Sequence, residues 1–153
     1  MYPSAKGQEE TVSEADPFPH SAVLIVDDDA TNRLILGGLL QSHGYRTFSA
    51  SDGFQALRLM ASQKFWTVFV DIRMPGIDGF ETIRRMRRLN LPHNPASARV
   101  VGVSASLEKE IQAKAEGFDA FLPKPVHGAD LSTVLETLIR NEMGLKQQPM
   151  VVA

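Results

Sequence analysis

Residues 66–90 read WTVFVDIRMPGIDGFETIRRMRRLN. The stretch opens on a short run of β-branched and aromatic residues, Trp66–Val70, closed by an acid, Asp71. A continuous apolar run this short suits a strand buried on both faces, as in parallel sheets. Asp78-Gly79-Phe80-Glu81 then fits a capping box with Asp as the cap, which predicts a helix over Gly79–Asn90. The stretch is therefore one strand–helix unit with an acid at the strand's C-terminal end.

The same alternation recurs on both sides. Strands are predicted at Ala22–Val26, Tyr45–Ser49, Arg99–Val103 and Phe118–Leu122, the second half polar and edge-like. Helices are predicted at Ala30–His43, Gly53–Gln63, Leu107–Glu116 and about Ala129–Glu142, where Leu131, Val134, Leu135, Leu138 and Ile139 form one stripe. Asp52-Gly-Phe-Gln55 is a second capping box, Ser106 can cap the fourth helix, and Gly44 and Gly117 occupy helix-ending positions. Five strands alternating with five helices specify an α/β fold around a parallel sheet.

Composition bounds the rest. A chain of 153 residues makes one domain. With 16 Lys+Arg against 18 Asp+Glu it is no general nucleic-acid or membrane binder. The absence of Cys excludes a disulfide scaffold, a thiolate zinc site and a cysteine nucleophile. No run reaches the ~18 apolar residues of a membrane span and no secretion signal is visible, so a cytoplasmic location is expected. Residues 1–21 read as a flexible acidic tail, 22–142 as the folded domain, and 143–153 as a loose tail too short for a DNA-binding module.

In such a sheet the strand C-terminal ends share one edge, and ligands bind there. That edge receives Asp27, Asp28 and Asp29 after the first strand, Asp71 after the third, Ser104 after the fourth and Lys124 after the fifth. Each alone is an ordinary cap or solvated residue; their conjunction is specific. Clustered carboxylates repel unless a cation joins them, and oxygen-only donors point to a hard ion, Mg²⁺ first. The four His show no ligand spacing. Metal, ammonium and hydroxyl together suit a phosphoryl group, and a carboxylate among them can be its nucleophilic acceptor. Arg84, Arg85, Arg87 and Arg88 read as charges placed against a helix dipole rather than as a nucleic-acid patch.

Four segments, VLIVDDD (Val23–Asp29), FVDIRMPGIDGFE (Phe69–Glu81), VGVSAS (Val101–Ser106) and FLPKP (Phe121–Pro125), resemble the receiver domain of two-component response regulators. The resemblance covers about residues 22–142. It implies a doubly wound, flavodoxin-like sheet of five strands in the order 2-1-3-4-5. It implies that Asp71 is the phosphoacceptor, that Asp28, Asp71 and the Arg73 backbone carbonyl hold Mg²⁺, and that Asp27 acts through water. Lys124 would pair with the phosphoryl group, its peptide to Pro125 would be cis, and Ser104 and Phe121 would be the switch pair. Phe121 would turn inward on activation, without the hydroxyl many members carry there. The donor would be a histidine kinase or histidine phosphotransfer protein, and output would run through an unidentified downstream protein. The chain would catalyse only its own phosphorylation and dephosphorylation.

Two alternatives stay open: a receiver module of a hybrid sensor kinase, and, from another class, a phosphorylation-independent adaptor or an aspartyl-nucleophile phosphohydrolase. A phosphohydrolase would want a second acid where Arg73 stands, and a flavin module would want a phosphate loop where Asp27–Asp29 stand. On the first helix Ile35, Leu36, Leu39 and Leu40 share an arc expected to face the sheet. Leu34, with Gly37 and Gly38 beside it, would form an exposed notch for the donor. Trp66, at the start of the third strand, is a candidate reporter of metal binding.

Overall fold

The computed structural model describes residues 22–89, 91, 98–144 and 150–151. The acidic leader and most of the Pro-rich Leu91–Ala98 stretch, with His20 and His93, lie outside them. In chain order the elements are β1 (Ala22–Val26), α1 (Ala30–Ser42), β2 (Arg46–Ala50), α2 (Gly53–Ser62), β3 (Thr67–Asp71) and α3 (Gly79–Leu89). They continue with β4 (Arg99–Ser104), α4 (Leu107–Ala115), β5 (Ala120–Pro123), α5 (Gly128–Glu142) and β6 (Met150–Val151). The sheet is parallel throughout, in the order β2-β1-β3-β4-β5-β6. The expected five-stranded order is present. The sixth strand is an addition, formed by two residues of the segment expected to be loose.

Alternation along the buried strands divides the core in two. Leu24, Val26, Val68, Val70 and Val100 face α2, α3 and α4 through Met60, Phe80, Ile83, Met86 and Ala113. Val23, Ile25, Phe69, Val101 and Leu122 face α1 and α5 through Leu36, Leu40, Leu131, Val134 and Leu138. Burying one such aliphatic side chain stabilises by roughly 1.5–3 kcal/mol, so both layers are strongly held.

Several boundaries differ from the sequence reading by a residue or two, for identifiable reasons. Tyr45 and Phe118, expected to open strands, instead close helices. Gly44 and Gly117 take left-handed conformations (φ 93° and 83°). The Tyr45 N–H donates to Leu40 O and the Phe118 N–H to Ala113 O, completing glycine-based helix ends. Asp52 and Ser106 cap α2 and α4 as expected, accepting from the N–H groups of Gln55 and Lys109. The Asp78 box is only half formed: Asp78 accepts from Glu81 N at 2.8 Å, while the Glu81 carboxylate pairs with Arg84 and Arg85.

α1 faces the sheet through Leu36, Leu39 and Leu40 as expected, but Ile35 does not join them. Leu36, Gly37 and Leu40 are buried, whereas Ile35 is 49% exposed. Gly37 takes the inner position instead: a Cβ there would be at ordinary contact distance, 3.7 Å from Ile25 Cδ1 and 3.9 Å from Thr47 Oγ1.

Candidate functional site

Every strand that bears on the site ends at the same edge. β1 runs into Asp27, whose Oδ1 accepts from the Asp29 N–H at 2.9 Å. Asp29 is used as the N-cap of α1, accepting from Thr31 N at 2.8 Å, so it is not part of the cluster. β3 ends on Asp71 itself, paired in register with Val103, one residue before Ser104. β4 and β5 are tied at this edge by the Lys124 N–H donating to Ser104 O at 3.0 Å, and the Lys124–Pro125 peptide is cis, as expected.

Asp27, Asp28 and Asp71 each offer a carboxylate oxygen, all within 4.8 Å of one another. Asp27 and Asp71 are buried and Asp28 is exposed. The Lys124 ammonium bridges the two buried acids, 3.1 Å from Asp71 Oδ2 and 3.3 Å from Asp27 Oδ2. Asp71 Oδ1 accepts from the Arg73 N–H at 3.2 Å. Ser104 is buried, and its Oγ accepts from the Ser106 N–H at 3.2 Å.

The electrostatics follow from burial. Desolvation raises the Asp71 carboxyl above its usual pKa and neighbouring Asp27 adds to the rise; Lys124 and the Arg73 N–H oppose both without cancelling them. Burial by itself would lower the Lys124 pKa, but Asp71 and Asp27 outweigh it and hold the ammonium above its usual value. Three carboxylates face one ammonium, and their donor atoms are all hard oxygens. That set fits Mg²⁺, which would complete the charge balance.

The structure thus brings together Asp27, Asp28, Asp71, Ser104 and Lys124. Phe121 departs from expectation: it is already turned inward, 3% exposed, among the side chains beneath α2 to α4. Leu34 is 77% exposed beside Gly38, at a shallow groove of about 600 Å³ between α1 and β2 that Arg33, Gly37, Thr47 and Phe48 also line. Trp66 lies at the other end of β3 from Asp71. Its indole stacks on Tyr45 and donates to Glu142 Oε1 at 3.1 Å, so it is remote from the metal cluster.

The arginines of α3 do more than face a helix dipole. Arg84 forms a two-point pair with Glu116, and Arg87 donates to the carbonyls of Glu116 and Gly117 at the end of α4. Sequence reasoning also missed Arg33, whose guanidinium donates to Asp27 O at 2.7 Å and braces the acidic corner from α1. Only its position one helical turn after the Asp29 cap hinted at this.

Comparison with known proteins places the fold among relatives. The family model of the response regulator receiver domain matches residues 23–136. The chain is 35% identical over 118 residues to the sensor histidine kinase RcsC of Salmonella typhimurium, covering 76% of this chain and 12% of that protein. It is 32% identical over 132 residues to the transcriptional regulatory protein ZraR of Escherichia coli, covering 86% of this chain and 29% of that one. Among solved structures, chemotaxis protein CheY4 of Vibrio cholerae superposes with a TM-score of 0.69 at 28% identity, over 77% of this chain and 98% of that chain.

Proposed function

The chain belongs to the response regulator receiver domain family, and from that premise we propose that it accepts a phosphoryl group on Asp71 from a phosphohistidine of a histidine kinase or histidine phosphotransfer protein. One observation carries the reading: a buried carboxylate at a strand end sits between an ammonium at 3.1 Å and two further acids.

The Asp71 carboxylate attacks phosphorus, the P–N bond to the donor imidazole breaks, and the phosphoryl group becomes an acyl phosphate on Asp71. Lys124, already on Asp71 Oδ2, stays beside the reacting oxygen and offsets the charge gathering there. The Ser104 hydroxyl releases the Ser106 N–H and turns to a phosphoryl oxygen. Mg²⁺ would be held by Asp28, Asp71 and the Arg73 carbonyl, with Asp27 acting through water, and supplies further charge neutralisation. Catalysis is confined to the chain's own phosphorylation and hydrolysis, in the cytoplasm, and output passes to a downstream protein through contacts on the switch face near Phe121.

Incubation with acetyl phosphate and Mg²⁺, read by intact mass, should add one phosphoryl group to the wild type and none to Asp71→Asn. A stoichiometric adduct on the variant would reject Asp71. The groove at Leu34, Gly37 and Gly38 is assigned to donor docking. Leu34→Arg should keep phosphorylation by acetyl phosphate and lose transfer from the histidine donor; loss of neither, or of both, rejects that assignment. A second reading, a receiver module within a hybrid sensor kinase, is favoured by the match to RcsC, of which this chain spans only 12%.

A further inference from the structure

The two flanks of the five-stranded core are protected differently. β2 carries Arg46, Thr47 and Ser49, polar side chains on an outer strand. β5 reads Ala120-Phe121-Leu122-Pro123, with no charge and no hydroxyl. An uncharged strand edge is a template for further pairing unless proline or another segment covers it. Here Pro123 ends the strand, and Met150–Val151 lies alongside in parallel, Ala120 paired with Met150 and Phe121 with Val151.

That cover is short. Two residue pairs give few ladder bonds, and each such bond adds little net stability against the bonds to water that it replaces. The covering residues, Met150 and Val151, are apolar and one is β-branched, which suits a strand. We propose that the β5 edge is a strand-accepting site, held in cis by Met150–Val151 and filled in trans by the same segment of a second copy of this chain. The register that serves in cis serves unchanged in trans, so exchange replaces like with like and its balance is set by concentration. No other described segment has a sequence and register already fitted to this edge. β5 also delivers Lys124 to Asp71, so an assembly at this edge grips the strand that supplies the ammonium. Pairing at this edge does not require phosphorylation of Asp71.

The test uses the full chain carrying Met150→Pro and Val151→Pro together, which removes both N–H groups of the covering strand. Amide exchange at Ala120–Leu122 should quicken at least tenfold in this variant. Adding the synthetic peptide QQPMVVA, residues 147–153, should restore protection, whereas the same peptide with both prolines should not. In sedimentation, the wild type should show a dimer fraction that grows with concentration, and the double variant should show none. Unchanged exchange in the variant, protection by both peptides or by neither, or a wild type that stays monomeric throughout would each overturn the proposal.

Discussion

Asp71 is held ionised at a cost. Its carboxyl is raised by burial and by Asp27, so the charged form is disfavoured in the fold. Removing the charge without changing the shape should help: Asp71→Asn should raise the melting temperature of the domain in chelator. Mg²⁺ should shrink that difference, because it relieves the wild type's repulsion. A lower melting temperature for the variant in chelator would contradict this account. Lys124 gives the opposite sign. Its pKa is raised above 10.5, so its contribution is complete below that pH and is lost as pH climbs through the higher folded value. Lys124→Met should therefore lower stability at neutral pH and flatten the alkaline decline, as measured by denaturant melts across pH. The acids and the lysine were legible in the sequence because strand ends converge. Arg33 was not: its bond to Asp27 O depends on how α1 leaves its cap, which residue order alone does not fix.

Among the elements, α3 is the most tightly placed. A Cβ on Gly79 would lie 2.5 Å from Asp71 O and 2.9 Å from Ile72 Cα, both backbone atoms that cannot move aside. Gly79→Ala should thus cost about 1–3 kcal/mol, the usual range for overpacking, and should also slow phosphorylation by acetyl phosphate because the push falls on the peptide of Asp71, the proposed acceptor. A variant with wild-type stability and rate would show that the first turn of α3 has room to shift. Periodicity located every helix and the five core strands, since each has a distinct apolar pattern. It misplaced the strand starts at Tyr45 and Phe118 because an apolar residue after a helix-ending glycine packs back on its helix. On α1 it placed Leu36, Leu39 and Leu40 on the inner face and erred at Ile35, whose place there is taken by Gly37. The sixth strand carried no signal beyond Met-Val-Val, too short for alternation to register.

At the scale of the whole molecule the two ends of the sheet have separate tasks. Ionisable groups gather at the strand C-termini, while the opposite end is held by Trp66, with Arg99 near its ring (5.8 Å to the centroid) and Glu142 on its indole nitrogen. Mg²⁺ should therefore leave Trp66 emission unchanged, whereas Glu142→Ala should shift it by freeing the indole N–H. A metal-dependent shift in the wild type would show that the two ends communicate through β3. The backbone N–H of Trp66 in turn donates to Ala22 O at 2.9 Å. One residue thus pins both the first residue of β1 and the end of α5, on the side away from the chemistry. A disturbance at Ala22 or at Glu142 therefore falls on the Trp66 contacts, which include no member of the Asp71 cluster, so the two ends of the sheet can be perturbed separately.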